Sequence, residues 1–220
     1  IATVIGSSFN WVNIPASYRS NTAKIRVEWQ GATNIKKDVA VLIKPNVDLT
    51  TPDGGGPYNA ATPLSIGFTH TGGAADTFKV LYSTNGGDAG GGTYPVGQAL
   101  GTVTSTGATP LNGFTFSCTS TVSPVACTWT IPEVAGIVGN QIKLKVEQVG
   151  DEANVKDEST SNLIVRGKLT VTAPTSTTTV WKVGDTTRAI TWTSKGLTNA
   201  AIAYTKNNGT DGYVNVITAS

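Results

Sequence analysis

The sequence predicts an all-β protein built from tandem two-sheet sandwich units, and three observations carry that prediction. The composition is dominated by Thr, Ser, Gly, Asn, Val and Ala, with no methionine and one histidine, a palette of secreted β proteins and not of helical bundles. Short runs of alternating apolar and polar residues are separated by Gly, Pro and Asn turns, and no segment has helical periodicity. The chain also matches itself. At an offset of 122 positions, LTTP at 49–52 falls near VTAP at 171–174, FTHT at 68–71 falls on ITWT at 190–193, and Val80, Tyr82 and Asn85 fall on Ile202, Tyr204 and Asn207. At offsets of 117 to 119, Trp11-Val12-Asn13-Ile14-Pro15 falls on Trp129-Thr130-Ile131-Pro132, KIRVE at 24–28 on KLKVE at 143–147, and Asp38 on Asp157. Small drifts of offset are what loop insertions produce, and a period this long suits a whole small domain rather than a solenoid unit.

The phase of the repeat sets the expected domains. Residues 1–46 match only the second half of a unit, 47–168 make one complete unit, and 169–220 match only the first half of the next. The chain starts at Ile1, which reads as a window from a longer array or a mature chain whose halves are completed by neighbours. A unit of about 120 residues is long enough to bury its own core.

In chain order, KIRVEW at 24–29 puts Ile25, Val27 and Trp29 on one face and Lys24, Arg26 and Glu28 on the other, and KLKVE at 143–147 repeats the pattern. Such alternation marks a strand with one wet face, so these charges are expected to be solvated. Residues 34–43 and 154–165 read as the final strands of their units, with Pro45 and 166–168 as short linkers. In the complete unit the pattern predicts strands over 47–51, 64–71, 77–84, 94–103, 113–119, 127–131, 141–148 and 155–165. The glycine runs at 53–56 and 85–92 read as turns, the second repeated in short form at 207–209. Neither is a phosphate cradle, because no Lys-Ser/Thr and helix follow.

Cys118 and Cys127 are the only cysteines, each in an alternating run, with Pro124 forming the turn between them. A disulfide between neighbouring strands is the natural reading and implies an oxidising compartment; two buried free thiols are the alternative. A redox CxxC or a metal site does not fit the spacing. His70 takes the place of Trp192 in the repeat and reads as a core or interface residue, with no triad partner nearby in sequence. Trp11, Trp129 and Trp192 read as core, whereas Trp29 and Trp181 are the rings free to face outward.

At VWKVGDTTRAITWTS, 180–194, followed by an AIAY strand and an Asn-Gly turn, the chain resembles the Ser/Thr-rich immunoglobulin-like domain of the fungal cell-wall Kre/Knh type, of which bacterial surface proteins carry similar tandem units. The motif positions here are Trp181, Gly184 and Trp192, closed by Trp129-Thr-Ile-Pro132 and, in the preceding unit, Trp11 to Pro15; the 47–71 copy is degraded, with Tyr58 or Asn59 standing for Trp181. The resemblance implies an immunoglobulin-like sandwich on an extracellular, wall- or surface-attached protein, and it carries over no catalytic residue.

Charged residues make up 14% of the chain and the net charge is +2, so no basic patch points to nucleic acid, and no apolar run approaches the ~20 residues of a membrane span. The function expected is a non-catalytic structural repeat of a surface layer, adhesin or extracellular filament, its partners being neighbouring copies or repeats and, additionally, cell-surface polysaccharide. No cofactor or metal is expected. The alternative is a carbohydrate-binding or spacer module of a secreted polysaccharide-acting enzyme, for which Trp29, Trp181, Tyr94 and Tyr213 would supply the surface contacts. For an enzyme the densest acids are Asp151-Glu152 and Asp157-Glu158, which read as solvated loop residues and as weak calcium ligands at most. Asn208-Gly-Thr210 fits an N-glycosylation acceptor, and the Ser/Thr run at 175–179 an O-glycan site.

Overall fold

The structure is a computed structural model and describes residues 5–73, 75–119, 122–175 and 179–218. Among these residues the fold is all-β, with no helix of seven residues or more. It opens with a hairpin of β1 (Ser20–Trp29) and β2 (Ala32–Ile43). The middle of the chain follows as β3 (Val47–Thr51), β4 (Gly55–Asn59), β5 (Pro63–His70), β6 (Phe78–Ser83), β7 (Ala99–Thr104), β8 (Gly107–Pro110), β9 (Phe116–Cys118), β10 (Val125–Thr130), β11 (Gly139–Gln148), β12 (Lys156–Glu158) and β13 (Leu163–Arg166). Two pairs close the chain, β14 (Lys168–Ala173) with β15 (Thr191–Lys195) and β16 (Ala201–Tyr204) with β17 (Val214–Thr218). Residues 176–178 of the Ser/Thr run lie outside the described residues, as does Ile1.

The middle strands form two sheets around one core. One sheet runs β3-β5-β10-β9, the other β4-β13-β11-β6-β7-β8 with β12 added on β11. Period-2 alternation fixes which side chains meet. Leu64, Ile66 and Phe68 of β5 and Val125, Cys127 and Trp129 of β10 point inward against Val80 and Tyr82 of β6 and Ile142, Leu144 and Val146 of β11. Tyr82 stacks on Trp129 at 5.3 Å between ring centres, and Phe78 meets Phe68 edge-on at 5.6 Å, so aromatic pairs span the two sheets. Each large side chain buried this way contributes about 1.5–3 kcal/mol. Gly101 in β7 leaves room for Phe116, whose ring would lie 2.4 Å from any Cβ placed there.

Most predicted strands are present within a few residues of their expected limits. The run 94–103 is strand only over β7, because Pro95 opens a 3-10 turn at Val96–Gln98. The expected strand 155–165 is broken into β12 and β13: Lys143 Nζ takes the carbonyls of Ser159 and Thr160, which turns that stretch out of the ladder. Three strands among the described residues went unpredicted, β17 at the end of the chain and two in the middle. β4 uses the glycine run and pairs in parallel with β13, and β8 forms a short edge on β7.

The repeat extends to the fold's local geometry. β1 and β11 lie 119 positions apart at both ends, and the 3-10 turns before them, Ala16–Tyr18 and Ala135–Ile137, keep the same spacing. At an offset of 122 the turn after β6 recurs after β16. Ser83 Oγ donates to Asn85 Oδ1 (2.6 Å) and accepts from Gly87 N–H (3.2 Å); Thr205 Oγ1 donates to Asn207 Oδ1 (3.0 Å) and accepts from Gly209 N–H (3.2 Å).

The environments of the copies differ. Leu144 and Val146 are fully buried, whereas their counterparts Ile25 and Val27 are 42% and 72% exposed. Among the described residues, β1 and β2 pair only with each other, as do β14 with β15 and β16 with β17. Residues 5–15 and 179–190 form no strand, although their counterparts include β10 and most of β5, which pair with each other. Among the described residues the core positions expected for Trp11 and Trp192 are therefore not formed: Trp11 is 42% exposed and Trp192 half-buried, while Trp129 is completely buried. The physical reason is that Trp129 is covered by Tyr82, stacked on it at 5.3 Å, and by the other buried side chains of the two sheets, whereas no sheet pairs with residues 5–15 or 179–190.

Candidate functional site

Two features stand out from the framework, a charged cleft over β11 and the uncovered apolar faces of the terminal segments. The cleft corrects one expectation. Lys143, Lys145 and Glu147, read as solvated, are all less than a tenth exposed, because β12 flanks β11 in the sheet and the 85–94 loop reaches over the face with Asp88 and Tyr94. Their counterparts Lys24, Arg26 and Glu28 are exposed as expected. Lys145 Nζ sits 3.2 Å from Glu147 Oε2, 3.6 Å from Asp88 Oδ2 and 4.2 Å above the Tyr94 ring. Lys79 Nζ reaches Glu147 Oε1 at 3.0 Å, and Lys156 Nζ reaches Asp88 Oδ2 at 2.8 Å. Glu158 accepts from the N–H groups of Asp88 and Ala89 and from the Tyr94 hydroxyl, at 2.9–3.0 Å. Gly87, with a positive φ, lets the backbone approach this cluster: a Cβ there would lie 2.6 Å from the Tyr94 oxygen.

The electrostatics follow from these contacts. Lys156, aided by Lys145, holds the Asp88 carboxyl below the usual aspartate range. Burial, then the Glu158 hydrogen bond, raises the Tyr94 hydroxyl far above an ordinary tyrosine. Tyr94 is thus a half-buried, bonded residue and not a free surface ring. The cleft has a volume of about 390 Å³ and is lined by Asp88, Ala89, Lys145, Lys156, Asp157 and Glu158. Its charges alternate in sign and satisfy one another. A cross-strand signal for it was present in the sequence, since Lys145 faces Glu158 and Glu147 faces Lys156 on paired strands.

The acidic pairs singled out for chemistry have structural partners. Asp157 Oδ2 accepts from the Leu49 N–H at 2.7 Å and ties β12 to β3. Asp151 binds Asn154 and ion-pairs with Lys44, and Glu152 accepts from the Gly150 N–H. Among the described residues no three His, Cys, Asp or Glu side chains are grouped to hold a metal ion. His70 accepts from the Gly72 N–H through Nδ1 and packs against Phe78 at 4.5 Å between ring centres, a packing role as expected. Cys118 and Cys127 face each other on β9 and β10 and form a disulfide.

The apolar faces are the second feature. On the hairpin, Ile25 and Val27 of β1 share a face with Val39, which pairs with Ile25, and with Lys37, which pairs with Val27, while Trp29 and Ile35 flank the irregularity after Glu28. The apolar residues Ile25, Val27, Trp29, Ile35 and Val39 are all exposed, Trp29 at 59%. On the opposite segment Leu169 and Val171 of β14, Ile190, Tyr204, Val214 and Val216 are exposed. Trp181 is 43% exposed beside the turn at Gly184, and Tyr213 is exposed as well. Pro15 and Pro132, which follow the repeated Trp motifs, lie at the start of the segments leading into the 3-10 turns. Asn208 is exposed in the turn before β17. No helix among the described residues is long and apolar enough to cross a membrane. No protein-family model and no curated protein matches the chain.

Proposed function

We propose that this chain is a non-catalytic structural repeat of an extracellular surface protein, with 47–168 as one immunoglobulin-like sandwich unit flanked by halves of two others, 1–46 and 169–220. One observation carries the reading. Apolar residues exposed on both terminal segments have repeat counterparts that are completely buried in the middle unit, such as Val27 against Val146 and Ile190 against Phe68. Clustered exposed apolar side chains of this kind mark an interaction site. The disulfide is compatible with a secreted protein. The resemblance to Ser/Thr-rich surface repeats points the same way. Sedimentation velocity over a concentration series tests the reading, with electron microscopy of the heaviest fraction. Self-association through these faces is expected; a chain that stays monomeric at high micromolar concentration speaks against it.

The exposed rings of Trp29, Trp181 and Tyr213 favour a second reading, a carbohydrate-binding or spacer module of a secreted polysaccharide-acting enzyme. Retention on an insoluble polysaccharide, lost on replacing Trp181 with Ala, is what that reading expects.

A further inference from the structure

We propose that the partner of the N-terminal hairpin is the C-terminal segment of a second copy of this chain, docked in the register that joins β6 to β11 in the middle unit. The inference rests on the assembly role above and specifies its contact.

The middle of the chain supplies the template. In the middle unit β6 and β11 run antiparallel, with Glu147 opposite Lys79, Val146 opposite Val80, Lys145 opposite Leu81 and Leu144 opposite Tyr82. Moving β11 back by 119 positions gives β1, and moving β6 forward by 122 gives the β16 region. The same ladder between two copies therefore sets Glu28 opposite Ala201, Val27 opposite Ile202, Arg26 opposite Ala203 and Ile25 opposite Tyr204. This register turns Ile25 and Val27 toward the C-terminal half-unit, as Leu144 and Val146 face the core. It also brings residues 7–12 against 185–190, the segments without strand whose counterparts, β10 and residues 63–68 of β5, pair with each other.

The area is adequate. About a dozen half-exposed side chains face the contact. Taking half of ~60–120 Å² for each aliphatic group and half of ~150–250 Å² for each aromatic ring, they amount to roughly 500–900 Å² of apolar surface. Backbone and polar atoms add to this, approaching the ~1,200–2,000 Å² of a specific interface. Because the two surfaces differ, the contact is head-to-tail and repeats into a ring or a filament.

Cysteine cross-linking reads the register. Both native cysteines are already in the disulfide, so introduced thiols react alone. Directly opposed residues of an antiparallel pair have Cα atoms ~4.5–5.5 Å apart, inside the ~4.4–6.8 Å span of a disulfide. The Glu28→Cys chain is mixed with the Ala201→Cys chain, mildly oxidised, and analysed on non-reducing gels with peptide mapping; far-UV circular dichroism verifies that both variants keep the native spectrum. A 28–201 linked heterodimer is expected, with a ladder of multimers or a closed ring from the double variant. The Glu28→Cys and Ala203→Cys mixture, slipped by two residues on the same face, is expected to stay unlinked. Association without the 28–201 link overturns this docking and leaves the assembly role standing. Chains that neither associate nor link overturn both. A link formed only inside the double variant, as a monomer, overturns the second copy as partner in favour of self-closure.

Discussion

Truncating the same residue type at repeat-equivalent positions separates a complete core from an incomplete one. Trp129 is fully buried and stacked on Tyr82 at 5.3 Å, whereas Trp11, its counterpart, is 42% exposed beside Tyr18 at 5.8 Å. A buried ring of ~150–250 Å² at ~25 cal/mol/Å² gives a ceiling of roughly 4–6 kcal/mol for Trp129→Ala. Partial collapse of the cavity brings the expected loss to about 3–5 kcal/mol. That is a large share of the ~5–15 kcal/mol stability of a domain. Trp11→Ala is expected to cost about 1 kcal/mol or less in dilute solution, since the ring is at the surface and its segment joins no sheet. Urea unfolding followed by far-UV circular dichroism at low chain concentration measures both. At high concentration Trp11→Ala is expected to weaken association, which sedimentation reads. Equal losses in the dilute chain would refute the reasoning, because Trp11 would then already be packed within its own copy.

Three further predictions follow from single contacts. Replacing Cys118 and Cys127 together with Ser removes a bridge spanning 9 positions, and the loop-entropy relation puts the loss at ~2.5–3 kcal/mol, read as a lower urea midpoint with a slope equal to or slightly above that of the bridged chain, because the unfolded chain is then less constrained. Asp76 is pushed up by burial, but Arg19 and the Gly73 N–H outweigh this and hold its carboxyl below the usual range. Its contribution is complete above the ~3.9 of an unfolded aspartate and is lost as the pH falls through the lower folded value; Asp76→Asn should therefore flatten the acid limb of a stability-pH curve. Glu158→Ala removes the acceptor of the exposed Asp88 and Ala89 N–H groups and of the half-buried Tyr94 hydroxyl; water can take over the two N–H groups, so the loss is expected at ~0.5–1.5 kcal/mol, and faster amide exchange confined to 85–94 is the expected signature.

The sequence showed the parts of this fold that rest on period. Trp129, Leu144, Val146 and Phe68 were legible as core because alternation alone decides which face a strand residue takes. The disulfide was legible because both cysteines sit in strands joined by a proline turn. β4 was not, because its first residues, Gly55 and Gly56, carry no face and read as a turn; its strand exists only through parallel pairing with β13, a partner more than a hundred positions away. The burial of Lys145 and Glu147 was hidden for a related reason. Alternation marks them as polar-face residues, but what covers that face is the 85–94 loop, whose Asp88 and Tyr94 reach it through tertiary contacts. Tyr94 was misjudged as a surface ring by the same omission.

The terminal segments raise a question of stability that bears on when they order. An isolated two-stranded sheet is marginal in water, and three or more strands with a covered apolar face are needed for independent stability. β1–β2, β14–β15 and β16–β17 are each two-stranded, with apolar side chains exposed. What holds them to the middle unit is local: Arg19 to Asp76 and Lys44 to Asp151 at one end, Lys195 to Glu133 with the Gly196 N–H on the Glu133 carbonyl at the other. The exposed Lys195–Glu133 pair contributes ~0–1 kcal/mol, and in the partly buried Arg19–Asp76 and Lys44–Asp151 pairs desolvation offsets much of the attraction; together this is too little to offset ordering a ten-residue strand at ~1–2 kcal/mol per residue. Covering the apolar faces is the remaining term of the right size. The protection of β1 and β16 amides should therefore rise with chain concentration while that of β10 and β11 stays constant. Hydrogen exchange at two concentrations decides this, and uniform protection at both would mean that the hairpins are stable without a partner.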